Sequence, residues 1–204
     1  MKLPNPKRWS GTKLLLAILF ILPMPGICQQ VSEKVLTKYT QANNLSSYNI
    51  RKIVQDRQGF IWIATQDGLN RFDGNQFEIF RKNATGNKAL LGVDIRDIIA
   101  DTANDLVWVL SGEGGLNAIS CITGSVVRSV PMQSGDNEDW NISMTMVNAH
   151  IWIGSFKGVK VYDITNNRMQ QVPVVNQFTI IRDEPFEARH NFSDARGNIW
   201  ACIT

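Results

Sequence analysis

The chain has 204 residues, 44% of them hydrophobic, 9% aromatic and 19% charged, an ordinary globular composition with enough apolar material for one sizeable core. Its net charge of +3 arises in the first 28 residues, where Lys2, Lys7, Arg8 and Lys13 stand without an acid; the remainder holds 17 basic and 18 acidic residues. A body so near neutral excludes a field that would hold nucleic acid or an anionic membrane surface.

Residues 1–28 read as a secretory signal peptide. The basic start leads into the apolar run Leu14 to Leu22, which Pro23 and Pro25 end, and Gly26 and Cys28 place small residues for cleavage before Gln29. The run is far short of the roughly 20 residues that span a bilayer, so the expectation is an exported chain beginning near Gln29, with an uncleaved anchor as the alternative. Ile27 stands where a lipobox wants a small residue and argues against lipid attachment at Cys28.

Past the signal, tryptophan sets the organisation. Trp62, Trp108, Trp152 and Trp200 lie 46, 44 and 48 residues apart, in the phrases FIWIATQDGLNRFD, LVWVLSGEGGLNAI, HIWIGSFKGVKVYD and NIWACIT. In the first three, Gly68, Gly115 or Gly158 follows, and then Leu69, Leu116 or Val159. A period in the forties with short β-rich segments predicts an all-β chain, a β-propeller of four-stranded blades. An immunoglobulin-like sandwich also keeps a tryptophan on a strand but does not repeat it. The units fall at about 46–90, 91–140, 141–185 and a truncated 186–204, three blades and the start of a fourth. The domain 29–204 thus reads as the N-terminal part of a propeller within a longer protein; expressed by itself it is expected to be insoluble or to self-associate.

In the first unit, strands are expected over 50–56, 60–66, 68–73 and 75–82. The second shows no alternation because stacked blades bury both faces of a middle strand, and Trp62 packs between neighbouring sheets. The last alternates Phe77 and Ile79 with polar neighbours and reads as a half-exposed outer strand. Asp56, Gly59 and Trp62 share their spacing with Asp194, Gly197 and Trp200. That spacing predicts a hairpin turn in which the aspartate accepts backbone N–H groups and the glycine takes positive φ. The second unit is one residue longer, with Asn104 expected in the glycine's place. The third shortens the turn to about Asn148-Ala149.

These phrases resemble the two-component regulator propeller repeat, whose pattern is roughly D-x-x-G-x-[IL]-W-[IV]-[GA]-T-x-x-G-L-x-[RK]-[FY]-D. Unit one matches nearly throughout, including Thr65, Leu69 and Phe72, and the lead-in 39–56 resembles the loop and inner strand before the motif, with Asn44 where glycine is usual. Unit three matches at Trp152, Ile153, Gly154, Ser155, Gly158, Tyr162 and Asp163; unit two departs at Leu110 and Ile119, and unit four at Ile203. The resemblance implies the periplasmic sensor part of a hybrid histidine kinase. It further implies a glycan or other small-molecule ligand, a homodimer at full length, and a membrane contact made only through a helix beyond this chain. The kinase activity would lie there as well.

No catalytic constellation, metal set or cofactor motif is legible. Gly112, Gly114 and Gly115 are followed by no helix pattern, so they are not a phosphate loop. The acidic run 135–139 lacks calcium-ligand spacing. Cys121 and Cys202 fall in different units and are expected as two buried thiols. The candidate ligand residues are Asn70, Arg71 and Lys160 on third strands, and Arg189 and His190 before the fourth tryptophan. A secreted propeller-type carbohydrate-active enzyme and an adhesion or scaffold propeller stand as the alternative functions.

Overall fold

The computed structural model describes residues 37–132, 141–156, 158–171, 188–193 and 199–203, the last two segments and Gln171 by backbone alone. The chain divides into two units, Met1–Thr37 and Lys38–Thr204, and every described strand belongs to the second. Cys28, Gln29, Asp194, Gly197 and the run 135–139 lie outside the described residues.

Three four-stranded antiparallel sheets follow one another along the chain. The first is β1 (Ile50–Gln55), β2 (Ile61–Thr65), β3 (Gly68–Phe72) and β4 (Phe77–Phe80). The second is β5 (Ile95–Asp101), β6 (Leu106–Ser111), β7 (Gly115–Ser120) and β8 (Val126–Pro131). The third is β9 (Asn141–Val147), β10 (His150–Ser155), β11 (Gly158–Asp163) and β12 (Arg168–Gln171). A pair, β13 (Ala188–Ser193) and β14 (Ile199–Ile203), begins a fourth. The first strands of successive sheets adjoin, β1 with β5, β5 with β9 and β9 with β13. Sheets that meet along their first strands radiate like blades.

The second-strand tryptophans fill the seams between blades. Trp62, Ala64, Leu69 and Phe80 of the first sheet pack against Ile95, Ile98, Val107, Val109 and Ile119 of the second. Trp108, Leu110, Leu116 and Ala118 pack in the same way against Met144, Ile151, Ile153 and Tyr162 of the third. Trp62 and Trp108 are fully buried, each contributing roughly 4–6 kcal/mol by area alone. Phe80 is the buried residue of β4, with its ring 5.6 Å from that of Trp62. This corrects the expected alternation: Phe77 and Ile79 lie on the far face, where Phe77 stacks on Phe72 at 4.6 Å and Tyr39 meets both edge-on. On that face Ile53 is 55% exposed, whereas Ile98, its counterpart in the second sheet, is fully buried against the first.

The repeated Thr/Ser and Gly have a shared cause. Thr65, Ser111 and Ser155 close the β2–β3, β6–β7 and β10–β11 turns by donating from the side-chain hydroxyl to the carbonyls of Gly68 (2.8 Å), Gly115 (3.1 Å) and Gly158 (3.0 Å). Those glycines have φ of 109°, 126° and 122°. A Cβ on Gly68 would also lie 2.6 Å from the carbonyl oxygen of Phe80, so conformation and space both demand glycine.

The Asp-x-x-Gly-x-x-Trp phrase does more than turn the chain. Asp56 accepts the Phe60 N–H at Oδ1 (3.0 Å) and the buried indole N–H of Trp62 at Oδ2 (2.7 Å). The six-residue spacing lets one carboxylate hold both the turn and the seam. In the longer second turn Asp101 accepts from the Asn104 backbone and side chain instead, and the buried Nε1 of Trp108 has no hydrogen-bond partner among the described residues. The positive φ expected at Asn104 falls on Asp105 (φ 51°). Counted back from the tryptophan, Asp105 is the counterpart of Gly59, so the extra residue was inserted before it. Asn44, in the place where the repeat pattern has glycine, takes φ 68°.

Candidate functional site

Two of the sequence candidates have jobs inside the fold. Asn70 is fully buried. Its Oδ1 accepts the Ser46 N–H (2.9 Å) and its Nδ2 donates to Ser46 Oγ (2.7 Å), which also meets Thr65 Oγ1 (2.8 Å). Asn117 occupies the same place in the second sheet and accepts the Leu91 N–H at 3.1 Å. Each of these asparagines ties down the loop that enters its own sheet, four residues before the first strand. Arg71 lies over the Phe60 ring at 3.6 Å, donates from Nη2 to the Cys121 carbonyl across the seam (3.0 Å) and pairs with Glu78 at 3.4 Å. It lines a cleft of about 370 Å³ with Phe60, Asp73, Gln76, Phe77 and Glu78. Asp73 there accepts the Gln76 and Asn75 N–H groups at 2.8 Å each, which hold its carboxyl below the usual range.

Of the other three candidates, Lys160 lies on the third strand β11, and Arg189 and His190 on the first strand β13. Lys160, at the third-sheet counterpart of Asn70, brings its Nζ to 3.4 Å from Asn141 Oδ1. Arg189 falls at a register shift in β13, and His190 pairs in register with Cys202; their side chains are outside the described ones.

That shift recurs. Each first strand carries a bulge near its start: at Arg51 between Ile50 and Lys52, at Arg96 between Ile95 and Asp97, at Ile142 between Asn141 and Ser143, and at Arg189 between Ala188 and His190. A bulged residue leaves the ladder and its side chain is re-aimed. Asp94 lies between the first two arginines, with Arg96 Nη2 at 2.8 Å from Oδ2 and Arg51 Nη2 at 3.7 Å from Oδ1. Glu113, in the β6–β7 turn, accepts the Val93 N–H at Oε1 (2.7 Å) while its Oε2 is buried without a hydrogen-bond partner among the described residues. Burial pushes the Asp94 carboxyl up, against the pull of Arg96 and Arg51, and the charge of Glu113 adds to the rise. One residue along, Lys52 Nζ meets Asp97 Oδ1 at 2.6 Å and Asp97 Oδ2 accepts the Met144 N–H at 2.8 Å. A single carboxylate thus fastens three first strands.

Arg51, Asp94, Arg96 and Glu113 were not among the sequence candidates. The signal that could have found them is the phase of the repeat: Ile50-Arg51-Lys52-Ile53 and Ile95-Arg96-Asp97-Ile98 coincide once the units are aligned on their first strands, the second phrase standing one residue farther from its tryptophan because of the longer turn.

Residues 44–67, which hold the entry loop, β1, β2 and the turn that opens β3, match the two component regulator propeller family. Over 66 residues, 32% of its length, the chain is 39% identical to histidine kinase P4 of Formosa agariphila, a stretch that covers 5% of that kinase. Among solved structures it resembles the extracellular domain of BT4673 from B. thetaiotaomicron, described as a hybrid two component system, with a TM-score of 0.63 and 22% identity over 84% of this chain and 23% of that one. It also resembles the Pan2 WD40 domain of Neurospora crassa, with a TM-score of 0.52 and 16% identity over 76% of this chain and 44% of that one. At such identities the two structures speak for the fold alone, a β-propeller. The chain spans a small part of the kinase and about a quarter of the BT4673 domain.

Proposed function

We propose that this chain is the ligand-sensing propeller of an exported two-component sensor that responds to glycan fragments, with the kinase output elsewhere in the whole protein and the intact sensor working as a homodimer. The observation that carries the reading is the regulator repeat at 44–67, set in a structure whose second and third sheets rebuild it. Its Ser/Thr–Gly turn occurs three times and its tryptophan seam twice. The motif residues of the Ser/Thr–Gly turns and of the two tryptophan seams have structural duties, so recognition falls to residues outside the motif. Export is supported by the signal-like residues 1–28.

A thermal-shift screen of the exported chain against an oligosaccharide panel tests the sensing role. A ligand at about 100 times its dissociation constant stabilises by about 2.7 kcal/mol, so one saccharide class is expected to raise the melting temperature saturably. No response to any saccharide would overturn the reading. N-terminal sequencing of the exported protein is expected to begin near Gln29; a retained Met1 would overturn the cleavage, and retention of the chain in the cytoplasm would overturn the export.

A further inference from the structure

We propose that Arg51, Arg96, Asp94 and Glu113 form a recognition site for a carboxylate-bearing saccharide, a uronate, at the bulged ends of the first strands. This site rests on the sensing role proposed for the chain and gives that role a place and a charge.

The cluster leaves both donors and acceptors unmade. Arg51 carries five N–H donors. Arg51 is an exposed residue with a side chain 32% accessible, and its sole partner among the described residues is the Asp94 carboxylate at 3.7 Å, beyond hydrogen-bond range. An accessible guanidinium with its fork unfilled suits a planar oxyanion, which it can grip through two parallel bonds. On the acceptor side, Glu113 Oε2 and Asp94 Oδ1 are buried and accept no hydrogen bond among the described residues. Such groups are costly unless something donates to them, and saccharide hydroxyls are donors of the right kind. A simple anion would satisfy Arg51 and leave Asp94 Oδ1 and Glu113 Oε2 without a donor. A neutral sugar would do the reverse. A sugar acid satisfies both.

Placement supports the same end. The arginines stand at bulges, the positions that are free of the sheet ladder, whereas neighbouring residues are committed to it. Arg189 takes the same register position in β13, so three of the four first strands begin with arginine at this point and the third has Ile142. Framework needs do not explain that choice, since Ile142 completes its bulge without a charge. Arg96 is fixed by its 2.8 Å bond to Asp94, and Asp94 enters β5 beside the Val93 amide that holds Glu113. The cluster is therefore anchored on backbone rather than on mobile side chains.

The test is calorimetric titration of the full chain with a panel of uronate disaccharides of varied linkage and their carboxyl-reduced counterparts. At least one uronate is expected to bind, with its reduced form about tenfold weaker or more, the size of a charged hydrogen bond, and with affinity falling as salt rises. Arg51→Gln is expected to erase the preference for the acid. Glu113→Gln is expected to weaken both forms alike. Arg81→Gln, which breaks an exposed pair with Asp67 elsewhere, is expected to change nothing. If Arg51→Gln melts early, Arg51→Lys, which keeps the charge and loses the fork, is expected to lower the preference in a folded protein. Equal binding of acid and reduced forms, or indifference to Arg51, overturns the site and leaves glycan sensing standing. Preference for sulfated sugars overturns the carboxylate. Failure of the folded chain to bind any saccharide overturns both readings.

Discussion

Trp62 and Trp108 hold the same station in successive blades, and the two seams they fill are finished differently. In the first seam Asp56 takes the indole N–H, Arg71 reaches across from β3 to the Cys121 carbonyl, and Gly124 leaves room for that arginine, since a Cβ there would collide with Arg71 Nη1. In the second seam the indole N–H has no partner among the described residues, and the arginine comes from β8. Arg128 donates to Tyr162 Oη and to the Ile164 carbonyl at 3.0 Å each, with its guanidinium 6.0 Å from the Trp108 ring. Cys121 and Ile164 each follow the third strand of their blade. Ala118, the register counterpart of Arg71, faces Arg128 across the β7–β8 ladder. At the counterpart of Gly124 stands Asn167, with φ 51° and its side chain accepting from Tyr162 Oη at 2.6 Å. The repeat therefore preserves an arginine over the tryptophan and a carbonyl beyond it, but not the strand from which the arginine comes.

The largest test of this contrast is Asp56→Ala against Asp101→Ala. The first leaves the Trp62 indole and the Phe60 amide without their acceptor and is expected to cost about 2–5 kcal/mol in denaturant unfolding. The second loses only the Asn104 contacts of a turn and is expected to cost about 1 kcal/mol. Equal losses would show that the Asp–Trp bond is not what separates the seams. Next in size, Trp62→Phe strands a buried carboxylate oxygen whereas Trp108→Phe removes a donor that has no partner among the described residues. The first is expected to be worse by about 1–3 kcal/mol, and the reverse order would mean that the Trp108 indole is satisfied in solution.

Gly124→Asn gives the first seam the residue of the second. Asparagine tolerates the left-handed backbone at φ 63°, so the expected loss of about 1–3 kcal/mol reports displacement of Arg71 and its charged bond to the Cys121 carbonyl. Added to Arg71→Ala the same change should cost almost nothing more, because the two act on one contact. Additive losses would show that the glycine serves the turn and not the arginine.

The architecture was legible because burial on two faces forces the same residues into every unit: the continuous run around each tryptophan and the Ser/Thr that closes each turn onto its glycine. Single-residue insertions were less legible. Asn104 looked like the substitute for Gly59 only while the turn was counted forward from Asp101; the tryptophan, locked in its seam, is the fixed point, and it makes Asp105 the counterpart. Phe80 was missed because β4 shows one apolar residue to the seam and two to the far face, so alternation named the wrong pair. Among the candidate ligand residues, Asn70 and Arg71 drew notice as polar residues on a core strand, and the fold uses both for itself. The arginines of the bulges were hidden because a bulge is a property of pairing between strands, and no local pattern in β1 or β5 announces it.

The smallest expected effect concerns Cys121, where the first seam meets the second blade. Burial, and then the charge of Asp56, pushes its thiol up to about 12, while the unfolded thiol ionises near its ordinary value of about 8.5. The folded chain therefore retains a proton that the unfolded chain releases, and stability that is whole below about pH 8 declines as the solution is made more alkaline toward the folded value. With Cys28 and Cys202 replaced by serine, unfolding free energy is expected to fall modestly between about pH 8 and about pH 10, and Cys121→Ala is expected to remove that fall. The same chain should resist thiol labelling at neutral pH until the seam opens, since the thiolate is the reactive form. Asp56→Ala, which deletes the neighbouring charge and loosens the seam, should speed labelling where Asp101→Ala does not. Rapid labelling of the parent chain would show that the first seam opens readily despite its satisfied tryptophan, and would shift the origin of its strength from the Asp–Trp bond to the packing alone.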